Sequence, residues 1–194
     1  MPRASEPLTY IGPGGEEEDG ALAQAAAAGD RQALEQLFHR YEPKVVPYLQ
    51  RLVRDDEVGV DLFQDAFFRA WANLSSYDSR HPFHSWFYRI ATNIAIDWMR
   101  RRARLLPADE PTPEQPVPTL VAQRDKARRI EQAVTQLRQE QQTVFILRQY
   151  QGLSYADIAD ITDSPEGTVR SRMHYALRFL RERLRYLVEE GEPQ

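Results

Sequence analysis

The 194-residue sequence contains no cysteine. That excludes disulfides, thiolate metal ligands and thiol nucleophiles, and it fits a reducing compartment. No apolar run is long enough to span a bilayer, and no leader of the charged-then-apolar kind opens the chain, so it is expected to be cytoplasmic with no membrane insertion. A glycine-rich phosphate loop and an HExxH pair are missing too, and the expectation is a protein without cofactor, metal or catalytic residues. Four histidines are present, His39, His81, His84 and His174. Only His81 and His84 are close, and lacking a third ligand nearby they read as polar loop residues.

What is present is charge, unevenly placed. The formal net charge is −4, yet six arginines lie between Arg80 and Arg104 against Asp97 alone. Six more lie between Glu166 and Arg185 against two acidic residues. Acid collects instead at Glu16, Glu17, Glu18 and Asp19 and at Asp109, Glu110 and Glu114. Local fields steer a polyanion, whereas total charge mainly tunes solubility, so two basic blocks point to two separate contacts.

The periodicity is helical throughout. Residues 1–19 carry three prolines, three glycines and the acidic run, and read as a disordered acidic arm. An alanine-rich helix follows from about 20, with a break at Gly29-Asp30 where Asp30 is placed as an N-cap. A new helical stretch is expected from Pro43, with Val46, Leu49, Leu52 and Val53 on its apolar face. In GVDLFQDAFFRAWANL, Leu62, Ala66, Trp71 and Leu74, with Phe63, Phe67 and Ala70, form a broad apolar surface, and Asp61, Gln64 and Asp65 face outward. The turn-like SSYDSRHPFHS leads to a helix with a core stripe at Phe83, Phe87, Ile90, Ile94 and Trp98. Trp86, Arg89, Asn93, Asp97 and Arg100 form a partly separate face that ends in the run Arg100–Arg104. Aromatic and basic residues beside an irregular loop suit unstacked bases held over neutralised phosphates. Tyr77 and Trp86 stand evenly between packing and base contact.

Five prolines between Leu105 and Leu120 prevent a helix and mark a flexible linker, 105–121. The fold class is therefore all-α: two small helical domains, 20–104 and 122–188, with a disordered tail at 189–194. In the second, helices are expected at 124–137 and 140–150, and Ser154 is placed to cap a short helix, Tyr155–Ile161. After a break at Thr162-Asp163-Ser164-Pro165, Val169, Met173, Ala176, Leu177, Leu180, Leu184 and Leu187 recur at threes and fours. This is the layout of a helix-turn-helix whose outer face, with Arg170, Ser171, His174, Arg178, Arg181 and Arg185, suits a major groove.

DLFQDAFFRAWANL, SWFYRIATNIAIDWMRRRAR and VFILRQYQGLSYADIADITDSPEGTVRSRMHYALRFLRE, in that order over residues 22–187, resemble a bacterial sigma factor of the extracytoplasmic-function class of the sigma-70 family. The resemblance implies a sigma2-like domain and a sigma4-like helix-turn-helix domain. It implies docking of Asp61, Gln64 and Asp65 on the clamp helices of core RNA polymerase, with the flap as a further polymerase contact. It places Tyr77, Arg80, Trp86, Arg89, Asn93, Asp97, Arg100 and Arg101 at the −10 element, and Thr168, Arg170, Ser171, Arg172, His174 and Arg178 at the −35 element. Promoter DNA and an anti-sigma factor are the other implied partners. The sequence departs from the family pattern at Val60, where a carboxylate is common, and at Arg138, where proline is usual. It departs again at Thr162-Asp163-Ser164, where the turn usually contains glycine, and at Tyr175 and Leu177, where basic residues are frequent. The rival reading is a helix-turn-helix regulator that acts without polymerase, expected to bind a palindrome as a dimer.

Overall fold

The computed structural model describes residues 15–105 and 123–185, and among these the only regular structure is helical. The first unit contains α1 (Glu16–Ala27), α2 (Arg31–Val53), α3 (Asp56–Ala72), a 3-10 turn at Leu74–Ser76 and α4 (Phe83–Leu105). The second contains α5 (Gln123–Thr135), α6 (Gln139–Gln149), α7 (Tyr155–Thr162) and α8 (Glu166–Arg183). The first fourteen residues of the expected arm, the proline-rich spacer at 106–122, Leu187 and the tail lie outside the described residues.

The acidic run belongs to a helix rather than to an arm. α1 begins at Glu16, four residues before the expected boundary, and Asp19 is only 3% exposed. Its carboxylate accepts hydrogen bonds from the Tyr41 hydroxyl at 2.6 Å and from Arg40 Nη1 at 2.9 Å, and Arg40 also pairs with Glu18. Acid in a first helical turn is favoured by the backbone dipole. The partner that fixes this turn sits on another helix, out of reach of local composition.

Asp30 caps α2 as expected, accepting from the backbone N–H of Gln32 at 2.8 Å and of Ala33 at 3.2 Å. The helix does not restart at Pro43; it runs unbroken through Pro43 and Pro47 to Val53. Each internal proline forfeits one backbone hydrogen bond and crowds the preceding turn. Burial offsets that cost: Tyr41, Val45, Tyr48, Leu49 and Leu52 are all 1% exposed or less, while Pro43 lies on the outer side. Arg54 then closes the helix in the left-handed region at φ 60°, and Asp55 caps α3 through the Val58 N–H at 3.1 Å.

The core of the first unit forms where α2, α3 and α4 meet. Phe83 and Phe87 pack on Tyr41 edge to face, each with centroids 5.3 Å apart, and Phe63 packs against Phe87. The buried Tyr48 hydroxyl is matched by Thr92 Oγ1 at 2.8 Å. α3 crosses α2 at Gly59, where a Cβ would stand 2.8 Å from the backbone N and 2.9 Å from the Cα of Gln50. The second unit packs α6 and α7 on one side of α8, through Val144, Ile146, Leu147, Ile158 and Ile161 against Val169, Met173, Ala176 and Leu180.

Gly59→Ala tests the α2–α3 crossing. Alanine favours a helix over glycine by about 1 kcal/mol, but the backbone of Gln50 blocks its methyl, and overpacking of this kind costs about 1–3 kcal/mol. A lowered denaturation midpoint at unchanged slope is expected.

Candidate nucleic-acid interface

The first surface is built where the 3-10 turn hands the chain to α4. The Tyr77 hydroxyl donates to the His81 carbonyl at 2.7 Å, closing the loop. The Tyr77 ring stands edge to face on Phe83 and tilted on Trp86, both at 5.3 Å. Tyr77 and Trp86 are half-buried, so each is packed on one side and open on the other. The packing reading of both aromatics is realised on Phe83 and on each other, and part of each ring remains accessible. Arg80 is exposed and forked onto Asp78, whose carboxyl Arg80 holds down to about 2. Along α4, Asn93 and Arg101 are exposed, and Arg100 lies 3.7 Å from Asp97. Arg102 is drawn back over the Trp98 ring at 5.1 Å.

His84 is not a loop residue. It lies in the first turn of α4, 3% exposed, with Nε2 3.4 Å from Asp157 Oδ1 on α7, whereas His81 is exposed. Among the described residues no three His, Asp or Glu side chains gather as a metal-ligand set.

The second surface is α8. Val169, Met173, Ala176 and Leu180 are buried, which turns Thr168, Arg170, Ser171, His174, Tyr175 and Arg178 outward. Arg172 departs from this pattern. It is half-buried and donates to Ser164 Oγ at 2.9 Å, bracing the turn that opens the helix. Asp163 in that turn takes the left-handed conformation at φ 49°, a position glycine commonly fills and one that Asp tolerates through its short polar side chain. Arg170 is preorganised: it pairs with Glu166 and lies over the Tyr155 ring at 4.7 Å, with Arg148 also within 5.0 Å of that ring. Arg178 lies over Tyr175 at 5.0 Å, so an aromatic where a basic residue is frequent still organises a cation.

A third surface lies on α3. Asp61, Gln64 and Asp65 are exposed as expected, but so are Val60 at 38%, Phe68 at 61% and Trp71 at 51%. The sequence places Trp71 on the broad apolar surface with Leu62, Ala66 and Leu74, whereas the fold leaves it exposed. The core takes Leu62, Phe63, Ala66 and Ala70 instead. When both sides of a helix carry apolar residues, periodicity cannot tell which one the fold buries.

Ser154 and Asp157 form a capping box at α7, with the Ser154 hydroxyl accepting from the Asp157 N–H at 3.0 Å and the Asp157 carboxylate accepting from the Ser154 N–H at 3.0 Å. Burial pushes the Asp157 carboxyl up, but hydrogen bonds from His84 and Ser154 and the His84 charge more than offset it and hold it at about 2. A carboxyl lowered in the folded state contributes stability that is full above its unfolded value of 3.8 and is lost as pH falls through about 2. The stability advantage of the native chain over Asp157→Asn is therefore expected to shrink from about pH 4 downward. Ser154→Ala, which removes the reciprocal cap, is expected to cost about 1 kcal/mol. Thermal unfolding of the three proteins across that range checks both.

Two family models match the chain: Sigma-70 region 2 over residues 37–105 and Sigma-70, region 4 over residues 127–180. The "RNA polymerase sigma-H factor" of Pseudomonas aeruginosa is 31% identical over 190 residues, 91% of this chain and 98% of that protein. The "ECF RNA polymerase sigma factor SigM" of Mycobacterium tuberculosis is 34% identical over 186 residues, 93% of this chain and 94% of that one. Among solved structures, the sigma factor RpoE of Bartonella quintana, in complex with the anti-sigma factor NepR, superposes with a TM-score of 0.62 at 26% identity. It covers 78% of this chain and 96% of that one. Both models fall on the two helical units in the order in which the exposed surfaces of α3, α4 and α8 occur. On that agreement of sequence, domain order and helical architecture, the chain belongs to the extracytoplasmic-function sigma factors of the sigma-70 family, which are promoter-specificity subunits of RNA polymerase and not enzymes.

Proposed function

We propose that this sigma factor docks on the clamp helices of core polymerase through α3, captures the −10 element with the Tyr77 loop and α4, and anchors the −35 element with α8. The observation that carries the reading is the division of α8: one side fully buried, the other presenting Thr168, Ser171, His174, Arg178 and the preorganised Arg170. A helix held from behind, with exposed hydroxyl, imidazole and guanidinium groups, can read base edges and neutralise phosphates at once. On α4, Trp86 and Tyr77 offer ring faces to unstacked bases while Arg89 and Arg101 take phosphates. Strand opening then draws on binding energy, a few kcal/mol for each unstacked step, with no hydrolysis. The seventeen residues between Leu105 and Gln123 reach at most about 60 Å, which, with the breadth of two helical units, lets one chain serve both elements.

Phe68 and Trp71 sharpen the docking reading. Large exposed rings beside Asp61, Gln64 and Asp65 form a mixed apolar and acidic strip, the composition of a protein contact rather than of a DNA contact. Val60 fits that strip in place of a carboxylate. The flap and an anti-sigma factor are further proposed partners, and the cytoplasm, where polymerase works, is the proposed location.

Purified core polymerase transcribing a genome-fragment library, with and without this chain, tests the reading. New start sites that share upstream elements are expected only in its presence. No new starts, together with no co-purification with core enzyme, overturns the reading in favour of a regulator acting alone. Trp71→Ala or Phe68→Ser is expected to weaken core binding by about 30-fold, the loss of one interface anchor of about 2 kcal/mol, while leaving the melting temperature within a degree or two because both side chains are exposed.

A further inference from the structure

We infer that Tyr155 and Glu166 are positioning residues that set the specificity of Arg170, holding its guanidinium end-on to the major groove so that it reads a guanine edge instead of settling on phosphates. The inference rests on the reading of α8 as the −35 helix. Neither residue belongs to the −35 set that the sequence resemblance implies: Tyr155 opens the preceding helix, α7, and Glu166 carries the sign of charge that DNA repels.

A guanidinium carries five N–H donors. Arg170 commits two of them to one carboxylate oxygen: Nε donates to Glu166 Oε1 at 3.0 Å, and Nη2 donates to the same atom. That occupies the Nε–Nη2 edge of the group and leaves Nη1, with the second N–H of Nη2, as a free fork at its tip. The plane is held as well, because Arg170 Cζ lies 4.7 Å from the centroid of the Tyr155 ring. The ring is itself fixed. Tyr155 is the first residue of α7, directly after the Ser154 cap, and Arg148, which donates to the Leu153 carbonyl at 2.7 Å, lies within 5.0 Å of the same ring. The Arg170 side chain nevertheless stays 61% exposed, so these contacts orient the fork without covering it.

The free fork matches one base edge. Guanine presents two adjacent acceptors in the major groove, O6 and N7, whereas adenine presents an acceptor beside a donor. Two parallel N–H groups therefore fit guanine and meet a donor on adenine. An arginine without these supports has a competing use, because phosphate oxygens accept from the same fork at any sequence and add affinity without information. Glu166 works against that use twice. It ties down the edge by which the side chain would swing, and its own charge is repelled by nearby phosphates. Selectivity at one base pair is thereby gained against general affinity for the duplex. This separates positioning from packing: loss of Glu166 strengthens binding to DNA at large while it weakens the choice of base.

A promoter located by start-site mapping and randomised across its upstream element supplies the test. Holoenzyme formed from core polymerase and each full-length variant selects from that library, and the retained sequences are counted. With the native chain, one position is expected to favour guanine over adenine by about 10- to 100-fold, and Arg170→Ala to abolish the preference there alone. Tyr155→Leu and Glu166→Ala are expected to lower it by about 3-fold at the same position, with neighbouring positions unchanged, and Tyr155→Phe, which keeps the ring, to retain it. Glu166→Ala is also expected to raise affinity for random-sequence duplex and to steepen its salt dependence by about one unit of log K per log salt, the mark of one more phosphate contact. A guanine preference that survives Arg170→Ala, or a preference for another base that this variant removes, overturns the guanine assignment. Tyr155→Leu weakening every sequence alike, or Glu166→Ala weakening random duplex, overturns the positioning role. Absence of starts from the native chain overturns the functional reading itself, and this inference with it, and so is told apart from both.

Discussion

The seating of α4 on α2 and α3 is the constraint on which the rest of the structure depends. Phe83, Phe87 and Tyr88 are each 2% exposed or less, and burying side chains of this size contributes about 1.5–3 kcal/mol apiece before entropy is counted. Because Tyr41 receives Phe83 and Phe87 edge to face, the rotation of α4 about its axis is set by ring geometry rather than by general apolar contact. Once that rotation is set, Asn93, Arg100 and Arg101 have no choice but the outside. The Tyr77 loop follows, since its ring can rest only on what Phe83 and Trp86 leave uncovered.

The helix-turn-helix is held by different means. Its turn is short and polar, and three local devices shape it: the Ser154–Asp157 box at the start of α7, the left-handed Asp163 at its end, and Arg172 reaching back to Ser164. These are weak interactions individually, yet together they fix the entry angle of α8, on which the proposed base contacts depend. Arg172 therefore acts from behind the helix it belongs to, and the outward face carries Thr168, Ser171, His174, Tyr175, Arg178 and the braced Arg170. The same α7 carries Asp157, whose carboxylate caps its own helix with one oxygen and meets α4 with the other. A local cap and a long-range contact are thus coupled through one side chain.

Where the sequence misled, competing interactions explain it. Pro43 reads as a helix start, but α2 runs through it because the opposite side is fully buried. The acidic run reads as a solvated tail, but Tyr41 and Arg40 recruit Asp19. Trp71 reads as core at helical spacing, yet α3 has more apolar surface than the fold can cover, and the excess stays outside beside Asp61, Gln64 and Asp65. His84, read as a loop residue, is the first-turn partner of a carboxylate 73 positions away.

By itself the sequence determined the helical class, the division into two units, the caps at Asp30 and Ser154, the buried stripe of α8 and the outward set at Asp61, Gln64 and Asp65. All of these are local or periodic signals, written within a few turns of one helix. Tertiary structure alone decided which of two apolar sides α3 buries, which arginines are braced and which are open, and that Asp157 and Asp163 meet α4. Those outcomes depend on side chains far apart in the chain arriving at the same place, and no window of sequence contains both partners.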